Sequence, residues 1–174
     1  MSKSVFCIAT SEAQANRIVE RLLASGFSNS DISVLLPDAT GKGEFGHVKS
    51  TKASEGVATG ATTGGIAGGA IGLLLGIGAL AIPGLGAFIA AGPVMAALSG
   101  AAVGAATGGV VGGLIGLGIP EIEAKRYETR LREGNFLLSA HTETSEQISR
   151  AKDIFEAENA EDISVVNEAS APTK

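Results

Sequence analysis

Few residues in this chain are of a type that does chemistry, and their spacing limits what they could do. Gly41-Lys42-Gly43-Glu44-Phe45-Gly46 matches G-x-G-x-x-G and follows an apolar, strand-like run. In a dinucleotide site such glycines open a helix whose N-terminal amides meet the pyrophosphate. Here His47–Ser54 follows, polar and aperiodic, so the segment reads as a linker. Lys42 is not followed by the Ser or Thr of a Walker loop, which leaves phosphate binding without support. His47, His141 and the single Cys7 form no metal-ligand spacing, and Cys7, inside the apolar run VFCIA, reads as a buried thiol. No catalytic residue, cofactor site or metal site is assigned.

The densest charge lies in Glu121–Glu133, where Glu121, Glu123, Lys125, Arg126, Glu128, Arg130 and Arg132 share one helix. Glu121–Lys125 and Glu128–Arg132 have the favourable i,i+4 order. One reading is a solvated helix face. The other is a surface beside a membrane, with Lys125, Arg126, Tyr127 and Arg130 as the interfacial residues. Tyr127 is either an anchor at that interface or a core residue.

The elements that must position these residues form two copies of one unit. Val5–Ala9 is a β-rich run, Ser11-x-x-Gln14 reads as a capping box, and Ala15, Ile18, Val19, Leu22 and Leu23 share a helix face ending at Gly26. Asp31–Pro37 returns as a strand. Near the other end Phe136–Ala140, the box Thr144-x-x-Gln147, the face Ile148, Ala151, Ile154 and Phe155, and the strand Asp162–Val166 repeat that order. The tetrapeptide Asp-Ile-Ser-Val occurs at 31–34 and at 162–165. Two βαβ units predict an α+β fold, a ferredoxin-like split βαβ sandwich with two helices on one face of an antiparallel sheet. Val5–Ala9 is apolar on both strand faces, so the second face needs a cover. Either Glu121–Glu133 supplies it through Ala124, Tyr127 and Leu131, or a second subunit does; a homo-oligomer is the expected state.

Between the units, from Gly56 to Pro120, there is no Asp, Glu, Lys, Arg or His. Glycines recur there every fourth residue, as Gly60, Gly64, Gly68, Gly72 and Gly76 and again as Gly100, Gly104, Gly108, Gly112 and Gly116. That spacing keeps them on one helical ridge, where a missing side chain admits another helix closely. Thr63–Leu73 and Thr107–Leu117 nearly repeat each other, and Pro83–Pro93 between them carries turn punctuation. The run therefore predicts a glycine-zipper helical hairpin over Gly56–Ile82 and Val94–Gly118. Each helix would be roughly 37–40 Å long, enough to cross a hydrocarbon core of roughly 30 Å with tilt. Two spans leave both βαβ units on one side, with Lys49, Lys52, Lys125 and Arg126 beside them. Interior glycine costs on the order of 1 kcal/mol against alanine in a helix, so close packing or lipid must offset it. The uncharged turn suits a re-entrant or interfacial placement equally well, or an oligomer that buries the hairpin among its copies.

The organisation expected is a first βαβ unit at 1–40, a polar linker at 41–55, the hairpin at 56–120, a helix plus second βαβ unit at 121–168 and a tail at 169–174. A net charge of −5 with no concentrated basic surface argues against nucleic acid. One cysteine excludes an intramolecular disulfide, and the N-terminal residues lack the features of a signal peptide.

DISVLLPD at 31–38, ALAIPGLGAFIAAGPVMAALSGAAVG at 79–104 and GLGIPEIEAKRYETRLREGNFLLSAH at 116–141 together resemble bacterial general stress proteins of the heat-induced type, including low-temperature-induced members. The resemblance covers most of the chain and implies a stress-response role, with no catalytic residues to carry over. A more distant similarity is to a membrane-anchored subunit of quinol-linked electron-transfer complexes, and no quinone site is carried across from it. The expected function is a non-enzymatic, bilayer-associated stress-response protein on the cytoplasmic side of the inner membrane. The alternatives are a soluble self-assembling stress protein with the hairpin as its core, and an accessory subunit of a membrane electron-transfer complex.

Overall fold

The computed structural model describes residues 2–37, 78–82, 86–91 and 105–167. Along the chain these form β1 (Lys3–Ala9), α1 (Glu12–Ala24), a 3-10 turn (Asn29–Asp31), β2 (Ile32–Pro37), β3 (Gly78–Ile82), β4 (Gly86–Ala91), α2 (Ala105–Gly116), α3 (Glu121–Arg132), β5 (Phe136–Thr142), α4 (Ser145–Ala157) and β6 (Glu161–Asn167). The strands of this mixed α/β fold make one antiparallel sheet in the order β3-β4-β2-β5-β1-β6.

Strand alternation sorts the apolar residues into two cores. Val5, Cys7 and Ala9 of β1, Ile32 and Val34 of β2, and Leu138 and Ala140 of β5 face one way. They meet Ala15, Ile18, Val19 and Leu22 of α1 and Ala151 and Phe155 of α4. Phe6, Ile8, Leu35, Leu137 and Val166 face the other way, against Val110 and Leu114 of α2, Ile119, and Ala124, Tyr127 and Leu131 of α3. α3 covers the second face through Ala124, Tyr127 and Leu131, the first of the two expected solutions, and α2, expected in the zipper hairpin, shares that cover through Val110 and Leu114. The sheet face gives no further reason to require a second subunit.

Local sequence explains the helix boundaries. The Ser11 hydroxyl accepts from the Gln14 amide at 3.2 Å, and Thr144 and Gln147 form a reciprocal capping box at the start of α4. α2 ends in a paired closure: the Gly118 amide reaches the Ile115 carbonyl at 2.9 Å and the Ile119 amide reaches the Leu114 carbonyl at 3.1 Å. Gly118 sits at φ 96°, a conformation open to glycine, and buried Ile119 and Leu114 make the apolar contact that accompanies such a cap. The closure turns the chain directly into α3.

The charge-free run departs from the expected helical hairpin. Residues 78–82, placed by periodicity at the end of the first helix, are β3, and residues 86–91, placed in the turn, are β4. β4 pairs with β2 from Val34↔Ala91 to Pro37↔Phe88. The edge of β2 offers a row of backbone donors and acceptors that a hairpin satisfies, and Leu80, Ile82, Phe88 and Ile89 suit a pleated ladder. Of the second expected helix, 105–116 is helical, interrupted at Gly109 (φ 54°, ψ −148°). The remainder of both expected helices lies outside the described residues.

The two-sided core has a direct stability consequence. Leu114→Ala, at a fully buried position under the sheet, should destabilise by about 2–5 kcal/mol. Ile122→Ala, at a position 77 % exposed, should stay within about 0.5 kcal/mol of the parent. Urea denaturation of both variants checks the pair, and equal effects would mean that α2 does not cover the sheet.

Candidate functional site

The polar residues that converge most closely join α3 to β6. β6 carries a bulge, because Phe6 stands opposite Ser164 and Ile8 opposite Glu161, so that Asp162 and Ile163 together oppose Cys7. Asp162 adopts φ 49°, which aspartate tolerates better than most residues. Its carbonyl, turned out of the ladder, accepts from the Tyr127 hydroxyl at 2.9 Å, and that hydroxyl also bonds the Ser164 hydroxyl at 2.7 Å. The Asp162 carboxylate accepts from Arg130 Nε at 3.0 Å and lies 3.5 Å from Arg126. Arg130 further pairs with Glu161 and, at 3.4 Å, with Glu133.

The expected interfacial residues are thereby placed. Tyr127 is 1 % exposed, with its ring 6.2 Å from that of Phe6, and so belongs to the core; the interfacial-anchor reading of it is corrected. An apolar ring with one hydroxyl that finds two partners inside the fold has no need of an aqueous boundary. Lys125 is exposed but held 2.5 Å from Glu121, which keeps the Glu121 carboxyl below its usual range and the Lys125 ammonium above. Arg126 and Arg130 are committed to Asp162 and Glu161. Partly exposed pairs of this kind are each worth roughly 0–1 kcal/mol, so they fix the register of α3 on the sheet more than they stabilise it.

A second cluster ties the two βαβ units together. Buried Gln14 accepts through Oε1 from the Thr10 amide at 2.7 Å and donates through Nε2 to the carbonyls of Glu158 and Asn159 at 2.7 and 2.9 Å. The Glu158 carboxylate pairs with Arg17 at 2.8 Å and Arg21 at 2.9 Å. Sequence reading identified Gln14 as a capping residue only. Its link to α4 depends on the return of Asn159 at φ 56°, which periodicity does not encode.

Neither cluster leaves a group poised for reaction. Burial pushes the Cys7 thiol well up, so it stays a neutral, inert side chain. Among the described residues no group of His, Cys, Asp and Glu could hold a metal, and no buried side-chain polar atom lacks a partner. His141 lies in β5 opposite Ser4, while His47 and Gly41–Gly46 lie outside the described residues. The depressions found are shallow and open, of about 420 and 480 Å³ on the α1–α4 side, with Arg150 and Asp153 in both walls.

Of the glycine ladders, Gly60, Gly64, Gly68, Gly72, Gly76, Gly100 and Gly104 lie outside the described residues, and Gly108 falls in α2. Gly112 and Gly116 are exposed, and a Cβ built at either meets no described atom within 4 Å. The buried glycine of α2 is Gly113, next to Leu114. Among the described residues no helix is long and apolar enough to cross a membrane. No family model, curated protein or solved structure matches the chain.

Burial pushes the Tyr127 phenol well above its usual value of about 10. The fold therefore favours the neutral phenol. Its contribution is complete below about pH 10 and is lost as pH rises through the folded-state value. This is the chain's single tyrosine and there is no tryptophan, so tyrosinate absorbance reports on this site alone. The native protein should show no tyrosinate where the denatured chain already does, and Tyr127→Phe should lose about 1 kcal/mol at neutral pH while flattening the alkaline decline. Native titration near pH 10 would place Tyr127 at the surface.

Proposed function

We propose that the chain is a non-enzymatic, bilayer-associated stress-response protein whose α/β domain is ferredoxin-like and whose charge-free run lies in or on one leaflet. The ferredoxin-like reading is supported by the order β2-β5-β1-β6 with α1 and α4 against the same face, the arrangement of two interleaved βαβ units. The stress-response reading rests on the resemblance of residues 31–38, 79–104 and 116–141 to general stress proteins.

The observation that carries the membrane reading is the absence of every charge from Gly56 to Pro120, in a chain whose other residues compose an ordinary polar domain. The position of β3 and β4 restricts how such a run meets lipid. A two-span hairpin needs residues 83–93 on the far side of the bilayer, yet β4 is hydrogen-bonded to β2. Residues 92–104 then join the sheet to α2, and as the helix that a lipid span requires they would reach about 20 Å at 1.5 Å per residue, short of a hydrocarbon core of roughly 30 Å. A run that leaves and rejoins the domain on one side fits a re-entrant or interfacial placement, on the cytoplasmic face of the inner membrane. The glycine ladders at 60–76 and 100–116 would pack within that layer or between copies in a homo-oligomer. Burial of the same run in a detergent-independent assembly is the competing reading, favoured by β-strands within the run.

Cell fractionation separates the two. The intact chain should remain with membranes after a high-salt wash, and Gly64→Asp/Gly68→Asp/Gly72→Asp should shift most of it to the supernatant, each carboxylate costing on the order of 3 kcal/mol in lipid. An intact chain recovered as a large soluble particle would establish the assembly reading instead.

A further inference from the structure

α2 carries no charged residue and has Thr107 as its one side chain with a polar group. One side has its cover, since Val110 and Leu114 lie buried in the cluster on the second face of the sheet. The opposite side presents Gly112, Gly116 and Ile115, the last 43 % exposed. Past the elbow at 117–120, the second residue of α3 is Ile122, which at 77 % exposure is the least covered large apolar residue among those described. Neither isoleucine is required by the internal core. From these observations, and resting on the bilayer reading above, we infer that the α2–α3 elbow is a docking surface that seats Ile115, Ile122 and the outer face of α2 in the apolar layer of a zwitterionic bilayer.

Two features select lipid as the occupant. The charge-free chain enters α2 directly at Ala105, so whatever phase accepts residues 92–104 lies at the first turn of the same helix. The charges beside the elbow are neutralised internally, Lys125 by Glu121 and Arg126 with Arg130 by Asp162 and Glu161. Among the described residues the cations nearest the elbow each have a carboxylate partner, and an apolar phase needs no polar complement. Binding through this surface is accordingly driven by apolar burial and is insensitive to ionic strength and to lipid charge.

The test uses the full chain carrying Ile122→Cys labelled with a polarity-sensitive fluorophore. Cys7 is fully buried and stays unlabelled in the native protein. Val165→Cys, on β6 away from the elbow, serves as the reference. With phosphatidylcholine vesicles the label at 122 should shift to the blue, and the label at 165 should not. The shift should persist in high salt and be unchanged when anionic lipid is included. A chain that floats with vesicles while the label at 122 stays in water would overturn the elbow and leave the bilayer reading intact. A chain that does not float would remove both. A blue shift that grows with protein concentration and needs no vesicles would make a second copy the occupant and overturn the assignment to lipid.

Discussion

The structure depends on a central strand that is apolar on both faces. β1 sends Val5, Cys7 and Ala9 to one side of the sheet and Phe6 and Ile8 to the other, all of them at most 2 % exposed. At roughly 25 cal/mol per Å² of apolar surface, leaving either side wet would forfeit several kcal/mol, a large part of a domain's net stability. The two βαβ units supply only one cover, α1 with α4. The second cover must come from elsewhere, and the chain provides it from the end of the charge-free run and the helix that follows it. α2 and α3 are therefore structural necessities for the sheet, and their position ties the apolar run to the domain at Ala105 as firmly as the β3–β4 hairpin ties it at Gly78 and Ala91.

Polar groups then fix where the second cover sits. Apolar contact alone would tolerate sliding of α3 across Phe6, Leu137 and Val166. The bulge at Asp162 turns a carbonyl and a carboxylate toward Tyr127, Arg126 and Arg130, which sets one register. The internal repeat shows how local this solution is. In the first copy Asp31 caps its own 3-10 turn, taking the Ser28 amide at 3.0 Å and the Ser28 hydroxyl at 2.7 Å. In the second copy the equivalent Asp162 leaves its turn for the arginines of α3.

The sequence was most legible where periodicity and caps agreed. β1, α1, β2, α3, β5, α4 and β6 follow from strand-like apolar runs, from a 3.6-residue stripe and from the box at Thr144. At Ser11 only half of the expected box forms, because Gln14 Oε1 takes the Thr10 amide. The charge-free run was least legible, for a physical reason: with nearly every side chain apolar or absent, neither helical nor strand periodicity can register. Gly78–Ile82 and Gly86–Ala91 were read as helix end and turn, whereas the unsatisfied edge of β2, a tertiary fact, makes them strands. The glycine spacing likewise defines a ridge without saying which way it points, and in α2 Gly113 is buried while Gly112 and Gly116 are exposed. Tyr127 was open between surface and core until its hydroxyl was seen to reach Asp162 and Ser164. The clusters at Gln14 and Asp162 required a left-handed residue, Asn159 and Asp162 respectively, which sequence pattern does not mark.

The account turns on one geometric statement: the middle of the apolar run belongs to the sheet, so the run returns to the domain on the side from which it left. Nitroxides placed through Leu36→Cys and Ile89→Cys, at positions that are direct partners between β2 and β4, report on this in the vesicle-bound chain. Paired antiparallel strands hold opposed Cα atoms about 4.5–5.5 Å apart, which predicts strong dipolar broadening of the spectrum. A spectrum without broadening and a separation on the order of 30 Å, the depth of the hydrocarbon core, would contradict it and restore a hairpin that crosses the membrane.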